Sequence, residues 1–184
     1  MNQIRIRQAE TSDMDAIQSL VLAAFGPGEG PTITHLISEL LVDHSAAPLF
    51  SLVATIDHEL VGHVLFSHAG VSQPDKDIPA AILAPLAVHP DYQSKGIGGQ
   101  LIRTGLEAMV RQGAELVFVL GHPGYYPRYG FRPAGVLGFQ APYLIAAENA
   151  DAWMVQALQP DVLGSVRGTV SCAEALRDPE YWIE

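Results

Sequence analysis

The chain is poor in cysteine, in cationic residues and in long apolar runs. A single cysteine, Cys172, excludes an intramolecular disulfide and with it the stapled scaffolds of small secreted domains. Ten Lys and Arg stand against 20 Asp and Glu, for a formal charge of -10. That balance argues against a broad nucleic-acid or anionic-membrane footprint, because both need clustered cations. No stretch approaches the roughly 20 apolar residues that cross a bilayer, and the opening MNQIRIRQAE has no signal-peptide core. The seven histidines are scattered without ligand spacing, so no metal is expected. The expectation is a soluble cytoplasmic protein, monomeric or homodimeric.

What is present is apolar bulk: 48% hydrophobic and 16% charged residues over 184 positions, the composition of a packed domain. Residues 3 to 8 alternate like a strand with one wet face. Thr11, Ser12 and Asp13 then offer helix caps before Met14, Ile17, Leu20, Val21 and Phe25 at helical spacing, and GPGEG reads as the stop. A second helix is expected over 31 to 43. LFSLVATIDHELVGHVLFSHAGVS reads as a hairpin turning near Asp57 to Glu59. AAILAPLAV, 80 to 88, reads as a buried strand in which Pro85 removes a ladder donor and implies a bulge or an open place. A helix over about 98 to 112 and a strand over 114 to 121 complete a unit of parallel-crossover length. Beyond it, 135 to 144 and 151 to 158 could each hold a strand, and 160 to 184 gives weak signals. One α/β domain over 1 to 184 is expected, with a core of about 4 to 140 and an extension over 141 to 184.

The stretch HPDYQSKGIGGQLI crowds glycines into the passage from strand to helix. Gly96 and Gly98 admit unusual φ values and a close approach, and free N-H groups at a helix start favour a phosphate. Lys95 adds a full charge. A Walker A loop fails because the lysine precedes the glycine, and a dinucleotide fingerprint fails at Leu101. On glycine spacing alone, a tight turn and an anion-binding loop are equally consistent.

The whole pattern LAVHPDYQSKGIGGQLI resembles the pyrophosphate-binding motif of the GCN5-related N-acetyltransferases, Q/R-x-x-G-x-G/A, with Gln93, Gly96 and Gly98 in its defined positions. RQAETSDMDAIQSLVLAAF is similar to that family's opening strand and helix, and YYPRYGF, 125 to 131, to its late FYxxxGF-type segment. Within the family the chain looks most like small bacterial N-acetyltransferases of the YhbS type. The resemblance covers about 4 to 140. It implies a mixed, mostly antiparallel twisted sheet, flanked by helices, with a V-shaped opening between central parallel strands, here 81 to 88 and 115 to 121.

The resemblance further implies acetyl-CoA as co-substrate and an amine as acceptor. The pantetheine arm would run along Leu86, Ala87 and Val88, and the pyrophosphate would lie on Ser94, Lys95, Gly96, Ile97, Gly98 and Gly99 with Gln93 bracing the loop. Acetyl transfer needs a neutral amine, an oxyanion donor and a proton for the leaving thiolate. The Leu86 amide is the implied oxyanion donor, and Tyr126, which would also touch the cofactor, the implied general acid. His122 is a candidate base; a hydrogen-bonded structural histidine is the competing reading. His63, His68 and Glu39 are further residues placed toward the acceptor, whose pocket is expected from 24 to 40, 63 to 72 and 140 to 150. Cys172 has no evident base beside it, so direct attack in a ternary complex is expected over an acetyl-cysteine. The alternative to an enzyme is an acyl-CoA-binding sensor or interaction module with little turnover.

Overall fold

The computed structural model describes residues 3–183. Its strands, β1 (Arg5–Gln8), β2 (Phe50–Ile56), β3 (Glu59–Ser72), β4 (Asp77–Val88), β5 (Leu116–Leu120), β6 (Arg132–Pro133), β7 (Phe139–Gln140), β8 (Trp153–Ala157) and β9 (Gly168–Cys172), form one nine-stranded sheet. The main path runs β1-β2-β3-β4-β5-β8-β6, and β9 takes the place beside β3 that β2 vacates. Pairing is antiparallel except between β4 and β5 and between β7 and β9. Two helices, α1 (Met14–Val42) and α2 (Ile97–Arg111), cover the two faces. The expected α/β architecture is therefore the observed one.

Period-two alternation in the strands explains the two layers. Leu116 and Phe118 of β5 join Leu65, Ala69 and Trp153 under Leu20, Leu36, Ile37 and Leu40 of α1. Val117 and Val119 turn to the other face, where Phe66 and Phe131 meet Leu101, Ile102 and Met109 of α2. Each such fully buried side chain contributes roughly 2 kcal/mol. A side chain at Gly105 of α2 would overlap the Phe66 ring, so a glycine sits where helix and sheet approach most closely. Asp57 and His58 both have left-handed φ, 48° and 69°, which gives the two-residue hairpin turn its twist.

α1 differs from the expected pair of separated helices. Only Gly26 leaves helical geometry, at φ 75° and ψ -177°, and the helix resumes at Pro27 rather than at 31. Pro27 suits a first helical position because its missing N-H has no intrahelical partner there. The whole element is anchored at its start by Asp13, whose carboxylate accepts the Glu10 N-H at 2.7 Å and a bidentate pair from Arg7 at 2.7 and 2.9 Å. The Arg7 hydrogen bond holds the Asp13 carboxyl down to about 2.

Candidate active site

β4 and β5 pair only through Ala80–Leu116, Ala81–Val117 and Ile82–Phe118. Beyond that point Pro85 has no N-H to offer, and the β3 register jumps from Phe66–Leu83 to Val64–Leu86, leaving Ala84 and Pro85 opposite one residue. This bulge opens the sheet into a cleft of about 1040 Å³, lined on the β4 side by Leu83, Ala84, Pro85, Leu86 and Val88 and on the β5 side by Leu120, Gly121 and His122. The His89 N-H bonds the Val61 carbonyl at 2.9 Å. Backbone groups alternate between strand edges, so Ala87 also points at β3 while the amides of Leu86 and Val88 face the gap. Ala87 buries its side chain under α1 and is the one residue of the three outside the cleft.

The loop between β4 and α2 is held by its own side chains. Gln93 donates to the Val88 carbonyl at 3.1 Å, which ties the loop back to the strand. Lys95 donates to the Asp91 carbonyl at 2.8 Å and lies over the Tyr92 ring at 4.9 Å, outside the cleft lining. Ser94 and Gly96 take left-handed φ of 60° and 82°, and Gly96 caps α2. The first bond of the helical ladder joins the Gln100 N-H to the Gly96 carbonyl at 3.1 Å, so the N-H groups of Ile97, Gly98 and Gly99 precede that ladder. Ser94, Gly96, Ile97 and Gly98 line the cleft; Gly99 lies beyond it, against the Tyr129 ring.

The opposite lip is a tyrosine turn, a short 3-10 helix over Tyr126–Tyr129. Tyr126 is buried edge-on to Tyr125 and Phe131, with ring centroids 5.2 and 5.7 Å away, and lines the cleft beside Leu120 and Gly121. Gly121 leaves the space that the Tyr126 ring fills. Tyr125 and Tyr129 hydrogen-bond each other, and burial followed by that bond pushes the Tyr125 phenol up. His122 Nδ1 accepts the Gly124 N-H at 3.0 Å, which leaves Nε2 as the protonated nitrogen of the neutral ring.

Of the three segments expected to form the acceptor pocket, only 24–40 reaches the cleft. Phe25, Gly28, Glu29, Thr32, Ile33 and Leu36 of α1 line the cleft, but no residue of 63–72 or 140–150 does, and neither does Glu39. In β3, the segment 63–72 is flanked by β4 on one edge and by β2 and then β9 on the other, with His63 fully buried and His68 exposed outside the cleft lining. The rest of the far cleft wall comes from Leu176, Glu180, Tyr181 and Ile183. The apolar run of Tyr181, Trp182 and Ile183 in PEYWIE was the one available signal for it. Tyr125 and Tyr129, expected only as neighbours of Tyr126, also line the cleft.

A sheet split between parallel strands, with a glycine-rich helix start on one lip and a buried tyrosine on the other, defines an acyltransferase. Residues 5–134 match the acetyltransferase (GNAT) domain family, and the chain belongs to that family. It is 43% identical to the uncharacterised N-acetyltransferase YjhQ of Escherichia coli K12 over 90% of both chains. To the uncharacterised N-acetyltransferase YhbS of the same strain it is 33% identical over 67% of this chain and 71% of the other. The crystal structure of E. coli YhbS in complex with CoA superposes with a TM-score of 0.84 at 28% identity, covering 97% of this chain and 94% of that one. A Brucella melitensis acetyltransferase in complex with acetyl-CoA gives 0.74 at 26% identity, over 96% and 99%.

Proposed function

We propose that the chain transfers the acetyl group of acetyl-CoA to a primary amine of a small molecule or peptide, by direct attack in a ternary complex. One observation carries the reading: the gap-facing amides of Leu86 and Val88, the start of α2 and the Tyr126 ring share a single cleft. The residues fit the cofactor. Two free strand amides suit the amides of a pantetheine arm, and left-handed Ser94 and Gly96 turn the loop so that N-H groups and the helix dipole meet a pyrophosphate. Gln93 braces that loop, and Lys95 stiffens it through Asp91 and Tyr92.

The bound cofactor supplies an activated acetyl group. The amine nitrogen forms a bond to the thioester carbon, the C-S bond breaks with its electron pair going to sulfur, the nitrogen loses a proton and the sulfur gains one. The Leu86 N-H stabilises negative charge on the thioester oxygen. Tyr126 donates the proton to sulfur, a transfer that suits a phenol because a thiolate is of broadly similar basicity. His122, whose Nδ1 is engaged by Gly124, accepts a proton only by giving up that bond, so water carries the amine's proton to it or past it. Cys172 takes no part: it lies in β9 outside the cleft, and burial pushes its thiol up to about 11.

Calorimetric titration with acetyl-CoA and CoA, followed by thiol release against a panel of amines, tests this. Binding with turnover on one amine class is the expected result. Binding without turnover on any amine would make the protein an acyl-CoA sensor.

A further inference from the structure

The cleft has two chemically different ends. Its far end is closed by the half of α1 beyond Gly26 and by a strap, residues 174–183. The Ala175 N-H donates to Asp43 Oδ2 at 2.8 Å and the Glu174 N-H to Ser45 Oγ at 2.7 Å, and buried Trp182 packs edge-on against Trp153 at 5.7 Å, which fixes the strap in place. The near end is the start of α2 faced by the tyrosine turn. Among the described residues, one lysine or arginine lines the cleft, and it lies at this end: Arg128.

The two lips touch at the near end. The Tyr125 hydroxyl rests against Gly98 and the Tyr129 ring against Gly99, so the tyrosine turn is seated on the first turn of α2. Arg128 is held to the same contact. Its backbone N-H bonds the Tyr125 carbonyl at 3.3 Å, and its guanidinium lies over the Tyr125 ring at 5.9 Å, a face on which arginine stacks readily. The guanidinium thus stands one phenol ring away from the free N-H groups of α2. Among the described residues it has no carboxylate partner, in a chain with 20 acids for 10 bases.

CoA carries a pyrophosphate and a 3′-phosphate, and a formal charge of -10 on the protein opposes the approach of such a polyanion. A helix start answers with only about half an elementary charge. The loop's own cation, Lys95, is turned to the Asp91 carbonyl and the Tyr92 ring, outside the lining. A full positive charge within the cleft therefore has to come from the other lip. We infer that Arg128 binds a phosphate group of CoA, its paired N-H donors meeting the phosphate oxygens, so that the cofactor is clamped between the tyrosine turn and the start of α2. The inference rests on the acetyl-CoA reading of the cleft and adds to it the residue that supplies the countercharge.

The test is calorimetric titration of CoA and dephospho-CoA into wild type, Arg128→Gln, Arg128→Lys and, as a control, Arg111→Gln. Arg111 is exposed in the last turn of α2, about 20 Å from the helix start, so its loss changes net charge equally without touching the cleft. At about 0.1 M salt Arg128→Gln is expected to weaken CoA about tenfold, Arg128→Lys to recover part of the loss and Arg111→Gln to bind as wild type does. The gap should narrow toward about 1 M salt, where the screening length falls from about 10 to about 3 Å. A loss that vanishes with dephospho-CoA assigns the contact to the 3′-phosphate, and one that persists assigns it to the pyrophosphate. Unchanged CoA affinity in Arg128→Gln, an equal loss in Arg111→Gln, or a loss that salt leaves untouched overturns the inference. Failure of wild type to bind CoA overturns the acetyl-CoA reading instead.

Discussion

The hydroxyl of Tyr125 rests against Gly98, so close that a Cβ at position 98 would overlap the phenol oxygen while the ring carbon behind it would stay at 3.6 Å. Glycine is thus required here by the tyrosine turn as well as by any phosphate. Gly98→Ala is expected to push Tyr125 off the start of α2, weaken acetyl-CoA binding about tenfold and destabilise the fold by about 1 to 3 kcal/mol. Adding Tyr125→Phe removes the overlapping atom and should restore much of both losses. Calorimetry and denaturant melts of the single and double variants check this; no rescue would place the glycine's role entirely with the ligand.

A second expectation concerns pH. His63 is enclosed in β3, with Nε2 and Ser51 Oγ 2.9 Å apart and no partner for Nδ1 among the described residues. Burial pulls its pKa from 6.5 down to about 4, with Asp13 opposing. Below about 6.5 the unfolded chain takes up a proton that the folded chain refuses until about 4, so this contribution is complete above that window and lost as pH falls through it. The loss amounts to about 3 kcal/mol in all. Denaturant melts of wild type and His63→Gln at several pH values between these limits should show the slope in the first and a flatter line in the second.

Local chemistry explains what could be read from the chain. The Asp57–His58 turn, the Pro85 bulge and the glycine-rich entry to α2 each follow from a residue's own conformational limits or missing donor. β9 and the strap do not: β9 is ordered by pairing with Ala69, Gly70 and Val71, about a hundred residues earlier, and the strap by Asp43, Ser45 and Trp153. Nothing within a short window announces such partners. The far wall of the cleft was missed for the same reason, since residues 174–183, which supply it, are held by those distant partners. For Lys95 a phosphate contact and a charge that merely solvates the loop read alike, because its bond to the Asp91 carbonyl exists only after the loop folds.

Asp43 tests the strap directly. Its Oδ1 accepts the Ser45 N-H at 2.8 Å and hydroxyl at 2.6 Å, and its Oδ2 accepts Ala175. Burial works to raise its pKa, but these hydrogen bonds outweigh it and leave the pKa lowered. Asp43→Ala strips three donors of their partner, so a loss of about 1 to 3 kcal/mol in a denaturant melt is expected. Limited proteolysis within residues 174–183 should quicken, while acetyl-CoA affinity, set at the other end of the cleft, should hold.

Tyr126 offers the sharpest separation of catalysis from packing. Its ring is enclosed by Tyr125, Phe131 and the space above Gly121, a setting that phenylalanine fills equally well. Tyr126→Phe therefore keeps the ring packing and removes the hydroxyl, and acetyl-CoA affinity should change little. If the hydroxyl supplies the thiolate's proton, kcat should fall roughly a hundredfold or more. Tyr129→Phe, which also removes a phenol oxygen from the cleft, should cost far less. Thiol release under saturating acetyl-CoA reads the difference. Equal losses in the two variants would make Tyr126 a packing residue and move the proton source to water or to a neighbouring phenol of the same lining.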